Sequence, residues 1–191
     1  MNQIELYVLE GFRHIADLAA YDHIVFIMAL CASYRYLQWK TLLGVISFFS
    51  IGHSLTLTLS GLKIITPDSN LVEFLIPCTI FITAFSILFR ERFPVLEDVI
   101  FNMGLAFLFG LIHGLGFSSY FKMLMEGMET NYLTPLLAFT LGIELGQALI
   151  VAIFILITEL MIRLTKVEQT RWSIFMAGGA TAISLLLMKG I

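Results

Sequence analysis

Six stretches of the chain are apolar over a length that suits a bilayer crossing: about 22–38, 41–62, 71–90, 97–121, 133–160 and 171–189. A spanning helix needs about 20 mostly apolar residues. Short polar clusters separate the stretches: RYLQWK, KIITPDSN, RERFPVLED, the EGMETN stretch and TKVEQTR. The N-terminal segment 1–20 has a different rhythm. Ile4, Val8, Phe12, Ile15 and Ala19 recur at helical spacing, while Glu5, Glu10, Arg13, His14 and Asp17 fall largely on the remaining face. This pattern predicts an amphipathic helix lying at the membrane interface. Its acidic start lacks the basic region of a secretory signal, so the segment is expected to belong to the mature protein. The expected fold class is all-α: a polytopic membrane bundle of about six transmembrane helices with an N-terminal amphipathic interfacial helix, forming one integral membrane domain over 1–191.

Composition sharpens this reading. Of 191 residues, 59% are hydrophobic and 13% charged, and the mean hydropathy is +0.92, more apolar surface than one soluble core of this length could hide. A net charge of −3 excludes nucleic acid as a partner, because that needs a clustered basic face. Lipid and small ions remain, and self-association into a homo-oligomer is left open. Cys31 and Cys78 both fall inside apolar stretches and read as small buried hydrophobes.

Basic residues set the expected orientation. Arg35, Lys40, Arg90, Arg92, Arg163, Lys166 and Arg171 collect on one side, against Arg13, Lys63, Lys122 and Lys189 on the other. The first side is expected to be cytoplasmic, with both termini outside. The outer loops then gather Glu5, Glu10, Asp17, Asp68, Glu126 and Glu129 into an acidic rim that would concentrate cations.

Depth follows from a helical rise of about 1.5 Å per residue. Asp22 and His23 fall at the outer end of the first stretch, and Glu73 in the first turn of the third. His53 lies about 18 Å from the cytoplasmic start of the second and His113 about 24 Å up the fourth, both in the outer half; Glu144 is about 16 Å down the fifth, near the midplane. Five stretches thus bring ionisable groups to one zone, where an intramembrane charge usually serves function. Ser50, His53, Thr56 and Ser60 share a face, as do Thr140, Glu144 and Gln147. Gly110 and Gly114 flank His113, and Gly142 and Gly146 flank Glu144, in the small-xxx-small pattern of close-packed membrane helices. Imidazole with carboxylate is the donor set for borderline divalent ions, namely Ni, Co, Zn or Cu, whereas Mg²⁺ and Ca²⁺ prefer oxygen alone. His14, with Glu10 and Asp17 at i−4 and i+3, reads first as a solvated helix face and second as an outer capture site.

The blocks YDHIVF, GHSLTLTLS, LVEFLI, FGLIHGLGFSS and FTLGIELGQ, in this order and spacing over about residues 10 to 160, resemble the signature blocks of the HupE/UreJ family of small bacterial membrane proteins. The resemblance implies a nickel, sometimes cobalt, permease of the bacterial inner membrane. It also implies metal-site roles for Asp22, His23, His53, Glu73, His113 and Glu144, with Gln147 beside Glu144 and His14 as a further candidate. Two positions depart from the family pattern: seven residues separate His14 from Asp22 where about five is usual, and Thr140 stands where Asn is frequent. Two function classes follow from the same cluster. In one, a divalent metal passes the imidazoles and then Glu144 and Gln147 toward the cytoplasm. In the other, a fixed metal activates water in a membrane-embedded hydrolase, with Ser54 or a glutamate assisting.

Overall fold

The computed structural model describes residues 2–18, 21–90, 92–125 and 133–190. Among them are seven α-helices and no strand: α1 (Gln3–Ala16), α2 (Tyr21–Ser33), α3 (Trp39–Gly61), α4 (Ser69–Ser86), α5 (Val99–Met125), α6 (Leu133–Thr165) and α7 (Gln169–Lys189). Local chemistry sets several of their ends. Asn2 and Glu5 form a reciprocal capping box on α1, with the Glu5 amide 2.8 Å from the Asn2 side chain. The Asp68 carboxylate caps α4 by accepting from the Leu71 amide, and Asp98 caps α5 by accepting from the Phe101 amide. Lys63 and Lys166, just past α3 and α6, take the left-handed backbone conformation (φ 59° and 57°) that closes a helix C-terminus, where a cation also suits the dipole.

Helices α3, α5, α6 and α7 are each long and apolar enough to cross a membrane, as is α4 with its continuation to Phe89. The first expected crossing differs from its sequence reading. Only Tyr21–Ser33 is α-helical there, about 20 Å of rise against a hydrocarbon core of about 30 Å. The length of a crossing is reached only by α1 and α2 together, inclined 69° to one another. The amphipathic α1 therefore does more than float at an interface. Its buried residues, Tyr7, Gly11 and Ile15, seat it on α6. The two helices run in the same direction, with Gly142 against Val8 and Phe12, and Gly146 against Phe12 and Ile15. Ala19, which the amphipathic pattern included, lies outside the described residues, as do Glu126 and Glu129 of the expected acidic rim.

Glycine explains the other intimate pair, α3 with α5. The missing side chains of Gly52 and Gly110 leave room for the backbone carbonyls of Phe107 and Phe49, and Gly114 for that of His53. These helices are also parallel, so His53 and His113 reach one level of the bundle. Facing lipid, α6 exposes Leu137, Leu141 and Leu145 and buries Phe139, Gly142 and Gly146 on the opposite side.

The orientation has a direct check. In a background with Cys31→Ser and Cys78→Ser, Arg92→Cys is expected to react with a membrane-impermeant maleimide only after the cells are permeabilised. Labelling in intact cells would reverse the topology.

Candidate metal centre

The break between α1 and α2 has one histidine on each side, His14 and His23, and α3 and α5 bring two more. His23 is central: its ring centroid lies 4.7 Å from that of His14, 6.0 Å from His53 and 5.1 Å from His113. The ligand atoms of His14, His23 and His53 all lie within 4.8 Å of one another, and so do those of Asp22, His23 and His113. A tetrahedral ion with metal–nitrogen bonds of about 2.0–2.1 Å needs donors about 3.4 Å apart. Ligand atoms at the upper end of the observed spacing would have to draw together by about 1.4 Å. The surroundings are dry: relative exposure is 4% for His23, 0% for His53 and 1% for His113.

Hydrogen bonding turns several ring nitrogens inward. The Asp22 carboxylate lies 3.2 Å from His23 Nδ1. An ionised carboxylate only accepts, so Nδ1 donates and the lone pair is left on Nε2. The Thr79 hydroxyl uses its one proton on the Ile76 carbonyl at 2.7 Å, so its 2.9 Å contact to His113 Nε2 must be donated by the ring. His113 Nδ1 is then the free acceptor. Both nitrogens of His53, His14 Nε2, His23 Nε2 and His113 Nδ1 are buried with no hydrogen-bond partner among the described residues. Buried polar atoms are normally satisfied, and so many orphaned imidazole nitrogens in one place, at least one acceptor on each ring, suit a cation.

Not every expected residue joins this cluster. His14, which read first as a solvated face, is turned into it, with its ring 3.6 Å from the Phe117 centroid and 5.4 Å from His53. Glu73 is exposed on α4 and belongs to neither ligand group. Glu144 and Gln147 form a separate polar layer between α6 and α3. Glu144 accepts from Ser47 at 3.4 Å and Gln147 from Ser50 at 2.8 Å. Ser50 and Ser47 are three and six residues before His53, so this layer runs about 4.5 to 9 Å along α3 from His53. Ser54 is paired with Thr140 at 2.7 Å across the same contact. Thr79 went unnoticed in the sequence, although Thr79, Thr83 and Ser86 recur at helical spacing on one face of the third span.

A family model described as HupE / UreJ protein matches residues 1–189. No curated protein and no solved structure matches the chain.

Proposed function

The chain belongs to the HupE/UreJ family, and from that premise we propose that it is a divalent transition-metal permease, for nickel or cobalt, of the bacterial inner membrane. The observation that carries this reading is the cluster itself: orphaned imidazole nitrogens from His14, His23, His53 and His113 beside the Asp22 carboxylate, inside a membrane bundle. Imidazole binds Ni²⁺ and Co²⁺ well, and one carboxylate offsets part of the ion's charge where bare charge is costly. With the arginine-bearing end cytoplasmic, both termini face outward, and Glu10 stands on α1, which leads to the cluster, with Asp17 at its C-cap. Glu144 and Gln147 hold the next polar layer toward the cytoplasm.

A resident catalytic metal at the same place has less support, because the Ser54 hydroxyl, one of the two assisting groups that reading offers, is engaged with Thr140. The two readings separate on one preparation. Purified protein is expected to carry less than one equivalent of metal by elemental analysis, and proteoliposomes holding it to accumulate Ni²⁺ in a saturable, time-dependent way. Tight stoichiometric metal without flux would reject transport in favour of a metalloenzyme.

A further inference from the structure

The histidine cluster needs a way out, and the bundle offers two directions toward the arginine-bearing end. One follows the α3–α6 groove past Glu144. Beyond that layer the groove is walled by Leu43, Ala148, Val151, Ala152 and Ile155, with no polar step until Glu159. The other follows α4. There, Thr79 already touches His113, and Thr83 and Ser86 continue at spacings of four and three on the same face. The proton of Thr83 goes to the Thr79 carbonyl and that of Ser86 to the Thr83 carbonyl, each at 2.8 Å. Each hydroxyl oxygen is thereby left with only lone pairs to offer a passing group. Such a ladder accepts cations and has nothing to donate to anions.

Beyond the ladder lies a recess between α2, α4 and α5. Thr83, Ser86, Ser33, Tyr34, Arg90 and Asn102 supply its polar wall. The Tyr34 hydroxyl there is buried beside the Asn102 side chain but makes no well-formed hydrogen bond among the described residues, a group that can take water or a hydrated ion. Between recess and histidines stand two aromatic rings that line the recess, Phe26 and Phe109. The Phe26 ring is 5.1 Å from His113, stacks on Phe49 at 4.8 Å and meets Phe109 edge-on at 6.1 Å.

We propose that the hydroxyl face of Thr79, Thr83 and Ser86 is the path by which the cation leaves the histidines for the recess at the arginine-bearing end, and that Phe26 with Phe109 is the partition closing it in this conformation. The proposal rests on the transport reading above. Neutral hydroxyl oxygens hold borderline divalent ions far more weakly than imidazole does, so the ladder is a place of transit. Arg90, lying over the Tyr34 ring at 5.4 Å and 3.9 Å from Glu97, puts a fixed positive charge at the recess and discourages the ion from lingering. In this proposal, rotation of the Phe26 side chain joins the two compartments.

The test uses the full chain in proteoliposomes with Ni²⁺ as cargo, in the Cys31→Ser, Cys78→Ser background. Thr83→Cys and Ser86→Cys are expected to lose Ni²⁺ flux roughly ten-fold on reaction with the small cationic reagent 2-aminoethyl methanethiosulfonate, equivalent to raising the barrier by about 1.4 kcal/mol. Ala148→Cys, in the α3–α6 groove, is expected to be indifferent to it. Ni²⁺ binding in detergent, expected unchanged by the reagent, shows that the histidine cluster is intact; if one ladder variant fails to bind, the other carries the test. Flux that survives modification of the ladder, or that is blocked at Ala148→Cys, overturns the path while leaving the transport reading standing. Background protein that binds Ni²⁺ but never moves it overturns both.

Discussion

His53→Leu is expected to abolish Ni²⁺ binding by the purified protein, weakening it about 100-fold or more, while leaving the metal-free protein as stable as before or more so. Both ring nitrogens of His53 are buried without hydrogen-bond partners among the described residues, and the side chain is fully enclosed, with the His14 and His23 rings 5.4 and 6.0 Å away. An unsatisfied buried polar group costs about 1–3 kcal/mol, and leucine fills a similar volume without that cost. A histidine kept for packing or for bridging helices would behave in the opposite way: its loss would lower the melting temperature and leave metal affinity alone. Titration calorimetry with Ni²⁺ and thermal unfolding in detergent separate the two. Affinity within two-fold of wild type, or a clear fall in stability, would show that the cluster is structural. Asp22→Asn should fall between these extremes, losing about 10–100-fold in affinity, since it touches the ion's site through His23 and removes one negative charge.

The last five crossings and the two close-packed glycine pairs were legible because both rest on strong one-dimensional signals, the length of an apolar run and the spacing of small residues. The convergence of His23, His53 and His113 was legible from depth alone. What depth cannot supply is the direction a side chain faces. Glu73 is in the first turn of its helix as expected, yet it is exposed. Glu144 has the expected glycine neighbours, but they seat α1, and its carboxylate meets Ser47 on α3 at a level below the histidines. His14 was misplaced for a related reason. The charges around it, Glu10, Arg13 and Asp17, mark a wet helix face in isolation, and only the docking of α1 on α6 shows that the His14 side of that helix turns inward. Thr79 was invisible because hydroxyls on membrane helices commonly bond their own backbone, and nothing in the chain marks the one whose oxygen also meets an imidazole.

Gly11→Leu should test that docking with a large and specific effect. Where Gly11 crosses α6, a side chain would run into the Phe139 carbonyl, and a helix backbone cannot rotate aside as a side chain can. Overpacking of this kind typically costs about 1–3 kcal/mol even when side chains yield. The expected result is that α1 lifts from α6 and takes His14 away, while His23, His53, His113 and Asp22 stay in place on α2, α3 and α5. Ni²⁺ affinity then falls roughly ten-fold, about 1.4 kcal/mol, with far-ultraviolet dichroism nearly unchanged. Gly110→Leu meets the Phe49 carbonyl instead, and because α3 and α5 carry two of the imidazoles, it should prevent a monodisperse folded protein from being recovered at all. Gly178→Leu has nothing within 4 Å of its added carbon and should be silent in both assays. Wild-type affinity in Gly11→Leu would mean that α1 is an appendage and that His14 sits beside the site without contributing to it. A loss confined to affinity would mean that the N-terminal helix is the fourth wall of the metal centre, held there by the absence of one side chain.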